Sequence, residues 1–120
     1  MTDFLLIYEG GDPNWAENRT PEEIQAVMEQ WGVWFERLEK SGHLRSPGHP
    51  LAPGGAVLRS NGDRIETDRA LPEVKELIGG YSVIAAESLD EAVDLAKGSP
   101  FLSNNPGGSV VVRPVLAMEA

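Results

Sequence analysis

Phe4-Leu5-Leu6-Ile7-Tyr8 is an unbroken apolar run, stopped by Glu9-Gly10-Gly11. A run this short, ended by glycines, predicts a strand rather than a helix. Nothing in it alternates. A strand wetted on one side carries polar residues at every second position, whereas this one has apolar side chains pointing both ways. Val110-Val111-Val112 and Val83-Ile84-Ala85 share that property, within strands predicted at Ser109 to Arg113 and Tyr81 to Ala86.

Helices lie between these strands. Thr20-Pro21-Glu22-Glu23 reads as a capping box, with the Thr20 hydroxyl accepting from the Glu23 N–H, the Glu23 carboxylate reaching back, and proline at the first helical position. Ile24, Val27, Met28, Trp31, Phe35 and Leu38 then fall on one stripe at 100° per residue, with Trp34 on its flank. Gly42 follows as a C-cap. Ser88-Leu89-Asp90-Glu91 is a second capping box, opening a helix whose stripe is Leu89, Ala92, Val93 and Ala96 and which Gly98 closes. Residues 43 to 56 and 100 to 108 are rich in Pro and Gly and read as loops. Ala56 to Arg59 and Arg64 to Thr67 flank Asn61-Gly62, a hairpin signal. A short helix is expected from near Pro72 to Ile78, ended by Gly79-Gly80.

Strand, helix, hairpin, short helix, strand, helix, strand is the split βαβ pattern of a ferredoxin-like α+β fold, with helices on one face of an antiparallel sheet. We read residues 1–120 as one domain. Helices on one side leave the other face bare, and large exposed apolar patches are unusual on a monomer. The same face of a second copy would cover it, as in a two-fold homodimer. Residues 43 to 56 or the C-terminal tail, folded over that face, are the alternative.

Nineteen acidic against ten basic residues set a net charge of −9. That field repels nucleic acid. With no cysteine in the chain, disulfides, thiolate metal sites and cysteine nucleophiles are excluded. No apolar run approaches the ~20 residues of a membrane-spanning helix, and no basic leader precedes Phe4, so a cytoplasmic location is expected. Neither histidine has the spacing of a helical zinc site, no serine sits in a nucleophile elbow, and no cofactor is expected.

The chain resembles the YCII-related family, also called DGPF-domain proteins. The resemblance is carried by Phe4 to Tyr8 followed by glycine, Pro21-Glu22-Glu23, Thr67-Asp68, Lys75-Glu76, Gly79-Gly80-Tyr81, Ser88 to Ala92, Gly107 to Val110 and Arg113-Pro114. It implies a ferredoxin-like domain in a dimeric α/β-barrel. The family's Asp-Gly-Pro-Phe motif reads Asp68-Arg69-Ala70-Leu71 here, so only its Asp is kept. Some relatives carry a His on the first helix, paired with an Asp and thought to be catalytic; residues 21 to 40 hold no His, and that pair does not transfer.

His43 and His49 are the only histidines, the residue type that ordinarily titrates near neutrality. If the loop closes over the sheet end, His49 could act as a general base oriented by Asp68. Solvated loop histidines, and a turn role for Asp68, are the plainer readings. Tyr8, Trp34 and Tyr81 offer aromatic surface to a flat apolar ligand, and Lys75 and Arg113 offer charge to an anionic one. Core packing for the aromatics, and a solvated helix face or sheet edge for the cations, are the alternatives. Two functions follow: a cofactor-free enzyme moving a proton on a small aromatic or apolar ligand, in an elimination or isomerisation, or a non-catalytic dimeric module binding a small molecule or a regulatory protein.

Overall fold

The computed structural model describes residues 1–12, 14–69 and 78–118. Its elements are β1 (Thr2–Glu9), a 3-10 turn (Trp15–Asn18), α1 (Pro21–Lys40), β2 (Leu44–Pro50), β3 (Val57–Asn61), β4 (Arg64–Asp68), β5 (Ile78–Ala86), α2 (Leu89–Ala96), α3 (Pro100–Asn104) and β6 (Ser109–Pro114). A four-stranded sheet has the order β2-β5-β1-β6, and β3 and β4 form a two-stranded sheet of their own. All strand pairs are antiparallel. With the hairpin set aside, β1-α1-β2-β5-α2-β6 follows the ferredoxin-like split βαβ order.

The run from Phe4 to Tyr8 divides between two faces, as the pleat requires. Phe4, Leu6 and Tyr8 are buried against α1 and α2, in a cluster with Trp34, Leu38, Ile84, Ala86, Ala92 and Ala96. Leu5 and Ile7 point to the opposite face and are only half-buried. Register places Val83 and Arg113 beside Leu5, and Tyr81 and Val111 beside Ile7. This outer face is therefore apolar at its centre, while the main hydrophobic cluster lies on the helix side.

Both helix starts form as their caps dictate. Thr20 Oγ1 accepts from the Glu23 N–H at 3.1 Å and Glu23 Oε1 from the Thr20 N–H at 3.1 Å. Those bonds hold the exposed Glu23 carboxyl below its ordinary value. At α2, Ser88 Oγ accepts from the Glu91 N–H, but the Glu91 carboxylate turns to the Glu87 N–H instead of closing the box.

Four expectations are corrected. Residues 43 to 56 are not one loop, because Leu44–Pro50 is β2. It occupies a sheet edge, where strand prolines such as Pro47 and Pro50 are tolerated, and its pairing with β5 is irregular around Ser46 and His49. Leu44–Pro50 joins the sheet in its own plane rather than folding over the outer face. Gly79-Gly80 runs within β5 rather than stopping a helix; a Cβ on Gly80 would stand 2.9 Å from the His49 carbonyl oxygen, so the bare backbone admits β2. The short helix expected from near Pro72 falls mostly outside the described residues, and its last residue, Ile78, opens β5. Residues 100 to 108 begin with α3, capped by Ser99 Oγ on the Phe101 N–H. The buried stripe of α1 centres on Val27, Trp34 and Leu38, while Met28 is 60% exposed. Trp34 is the core residue because the helix rotates its flank, not the middle of the predicted stripe, onto the sheet.

The hairpin forms as predicted, with Asn61 opposite Arg64 and Gly62, at φ +66°, starting the turn. It is not the central hairpin of the sheet. That place belongs to β2 and β5, and β3–β4 is inserted between them.

Candidate functional site

An aromatic cavity of about 230 Å³ lies beneath α1, where β2 ends and β5 begins. The helix contributes Met28, Trp31 and Phe35, and β2 contributes Pro47 to Pro50. Gly79 to Ser82 of β5, Tyr8 of β1 and Phe101 of α3 complete the wall. Among the described residues, the lining includes no Asp, Glu, Lys or Arg.

The wall is built by ring packing. Tyr8 stacks on Phe101 at 5.3 Å between centroids and meets the Trp31 edge at 5.4 Å. Trp31 lies 5.5 Å from Phe35. Such contacts contribute about 0.5–1.5 kcal/mol per pair beyond the area they bury, so the rings form a shaped wall. His49 is exposed, its ring 6.2 Å from that of Tyr81.

The floor holds a hydroxyl chain. Tyr8 Oη donates to Ser82 Oγ at 2.8 Å, and Ser82 Oγ donates to the Pro47 carbonyl at 2.8 Å. This ties β1, β5 and β2 together under the cavity. Burial pushes the Tyr8 phenol above its ordinary 10.0, although hydrogen bonding with Ser82 and Ser99 pulls the other way. The folded protein therefore holds the Tyr8 proton more tightly than the unfolded chain does. The resulting stabilisation is complete at neutral pH and is lost as pH climbs from about 10 through the raised value. Urea midpoints measured from pH 7 to pH 11 should fall more steeply for the native protein than for Tyr8→Phe, and equal slopes would refute the assignment.

Of the residues the sequence nominated, Tyr8, His49 and Tyr81 border this cavity, but register pairs His49 with Tyr81 and Tyr81 with Ile7, so those two belong to the outer face while Tyr8 points to the helix side. Trp34 does not line it: the residue is buried in the core, 5.8 Å from Trp31, and edges a separate shallow groove with Arg37 and Gly98. Arg113 lies on β6 beside Leu5, at the outer face. Asp68 ends β4 on the hairpin, where its Oδ2 accepts from Arg59 Nη1 at 3.0 Å. It is not in the cavity lining. Lys75 lies outside the described residues. His43 is structural, with Nδ1 2.7 Å from the Ala85 carbonyl and 3.8 Å from Glu91 Oε1. Trp15 sits in a surface recess with the Arg19 guanidinium 5.0 Å from its ring.

Sequence reasoning missed Pro47, Gly48, Pro50, Ser82 and Phe101 as lining residues. They read as loop or strand filler, and nothing local marks them, since the cavity arises where β2 docks. Among the described residues, no group of three or more His, Asp or Glu side chains is arranged to hold a metal ion. Nor is any helix among them long and apolar enough to cross a membrane.

The model of the YCII-related domain family matches residues 4–119. The chain is also 38% identical over 99 residues to an uncharacterized protein of Rhizobium meliloti (strain 1021), an alignment covering 78% of this chain and 77% of that one.

Proposed function

The chain belongs to the YCII-related family, and from that premise we propose that it works as a homodimer binding a small, flat, uncharged molecule in the cavity under α1. His49 is the group that exchanges a proton with the ligand. The observation that carries the reading is the aromatic lining, which holds the His49 imidazole and no Asp, Glu, Lys or Arg among the described residues. A dry apolar cavity of 150 Å³ is enough to hold benzene, so about 230 Å³ admits one ring with a small substituent. Burying a carboxylate or ammonium there without a partner would carry a large desolvation cost, which selects neutral ligands. Asp68 is engaged by Arg59 on the hairpin and has no role in this reading.

The dimer is supported by the outer face of the sheet. Leu5, Ile7, Val83 and Val111 stand together there, and all the described helices pack on the other side. A second outer face laid on the first would bury both, as two-fold symmetry permits.

Saturation-transfer NMR tests the binding, with phenol and indole as probes and benzoate as the charged comparison. Phenol and indole should receive saturation from the protein and benzoate should not. Trp31→Ala should abolish the effect. His49→Ala should weaken phenol roughly five-fold, the value of one hydrogen bond, and leave benzene unchanged. No transfer to either neutral probe at millimolar concentration, or full transfer in Trp31→Ala, sinks the reading.

A further inference from the structure

We propose that Asn61 is a self-modifying site. Its side-chain amide is lost to attack by the Gly62 backbone nitrogen, which converts the β3–β4 hairpin to a more acidic or register-shifted form. The inference depends on neither the dimer nor the cavity.

Asparagine occurs at positions 14, 18, 61, 104 and 105. For an asparagine to cyclise, the nitrogen of the next residue must reach its side-chain carbonyl carbon. That nitrogen must be free of hydrogen bonds, able to lose a proton and unshielded by a side chain. The fold blocks all but Asn61. After Asn14, the Trp15 N–H is bonded to the Asp12 carbonyl at 3.0 Å, and after Asn18 the Arg19 N–H is bonded to the Ala16 carbonyl at 3.4 Å. Asn105 precedes Pro106, which has no N–H. Asn104 is held by its own amide, which donates to the Pro100 carbonyl at 2.7 Å and to Gln30 Oε1 at 2.9 Å.

Asn61 meets each requirement. It stands exposed at the last position of β3, where the turn begins. Gly62 has no side chain to shield its nitrogen, and even a Cβ there would meet nothing within 4 Å, so the approach is open. The Gly62 N–H makes no backbone hydrogen bond among the described residues. A single bond restrains the Asn61 amide, from Nδ2 to Glu66 Oε1 at 3.0 Å. Both groups are exposed, so water readily replaces it.

The Gly62 nitrogen bonds to Asn61 Cγ while its proton passes through water to Nδ2. The Cγ–Nδ2 bond then breaks, ammonia leaves, and a cyclic succinimide remains. Water opens the ring at either carbonyl, giving aspartate or isoaspartate. Water is the sole co-reactant, and nothing is oxidised or reduced.

The two products act differently on the hairpin. Aspartate replaces the bond to Glu66 with repulsion between two carboxylates. Isoaspartate adds a main-chain carbon at the junction of strand and turn. Turn length fixes the register of a hairpin, so the pairs from Ser60–Ile65 back to Val57–Asp68 lose their alignment. The hairpin is a sheet of its own, so the four-stranded sheet is spared.

Trypsin cuts after Arg59 and Arg64, releasing Ser60 to Arg64 as one peptide that holds the site. The native protein and that free peptide are kept for weeks in the same warm neutral buffer, and mass spectrometry then reads each asparagine. Asn61 should convert in the folded protein at a rate within roughly ten-fold of the free peptide, while Asn14, Asn18, Asn104 and Asn105 keep their amides. Hydrogen exchange of the isoaspartate fraction should show lost protection in the hairpin. The Val115 amide, bonded to the Asp3 carbonyl at 2.8 Å, should stay protected. An Asn61 amide retained while the free peptide converts, or conversion at the other asparagines at an equal rate, overturns the proposal. A hairpin still protected in the isoaspartate fraction overturns the register shift.

Discussion

Replacing Gly48 by alanine is expected to detach β2 from β5 and destroy the cavity. Gly48 has φ +69°, a conformation that costs an L side chain about 1–2 kcal/mol. A Cβ there would also overlap the Tyr81 carbonyl oxygen and crowd the Tyr81 ring. The obstacle is backbone of the neighbouring strand, which no side-chain rotation relieves. Gly42 supplies the comparison: its φ is +79°, but a Cβ there meets nothing within 4 Å. Gly42→Ala should therefore lose about 1 kcal/mol, and Gly48→Ala at least about 3 kcal/mol, the difference being the overlap. Hydrogen exchange localises the damage. The Leu51 amide, bonded to the Gly79 carbonyl at 2.9 Å, should lose protection in Gly48→Ala and keep it in Gly42→Ala. Equal losses of stability in the two variants would show that β2 has room to move aside.

Leu6→Ala should destabilise the protein by about 3 kcal/mol, because Leu6 has no exposed surface and truncation there leaves a cavity as well as losing transfer energy. At about 120 residues this is a fall of roughly ten degrees in melting temperature. Its neighbour Leu5 makes the contrast informative. Leu5 is half-buried on the outer face, so within a lone chain Leu5→Ala costs less, about 1 kcal/mol. In a dimer joined through that face, the Leu5→Ala loss grows with protein concentration, because assembly adds to the native protein's stability by mass action. The Leu6→Ala loss stays the same at every concentration. Melting curves over a hundred-fold range of concentration read both. A Leu5→Ala effect independent of concentration would count against the outer-face interface, and a loss below 1 kcal/mol at Leu6 against the packing described for the core.

That both of those adjacent leucines would seek cover was legible in the sequence, and which of them faces the core was not. An apolar run without alternation states that both faces of its strand seek cover, and β1 does divide Phe4, Leu6 and Tyr8 from Leu5 and Ile7. The helix starts at Thr20 and Ser88 and the turn at Gly62 were equally local matters, because a hydroxyl three residues from an N–H, or a glycine free to adopt positive φ, settles them within one turn of chain. β2 was not legible. His43 to Pro50 has neither a strand's composition nor its periodicity, and it becomes a strand only because β5 presents a free edge and Gly48 and Gly80 let the two backbones approach. The rotation of α1 that buries Trp34 and exposes Met28 was hidden for a related reason. Both residues lie within a broad apolar sector, and only contact with Gly98 and the sheet selects between them.

The candidate site divides along the same line. Tyr8, His49 and Tyr81 were nominated on chemistry, and all three border the cavity, though from opposite faces of the sheet. Trp34, Asp68 and Arg113 were nominated on the same grounds and stand elsewhere. Residue type is a property of each position, whereas juxtaposition is a property of strand order and register, which couple residues some seventy positions apart such as Tyr8 and Ser82. By itself, then, the sequence determined the elements whose cause lies within a few residues, the acidic surface and the two-sided apolar character of the sheet. The tertiary structure alone decided that an edge strand of prolines and glycines would close an aromatic cavity, because that closure depends on how nearly two backbones can approach.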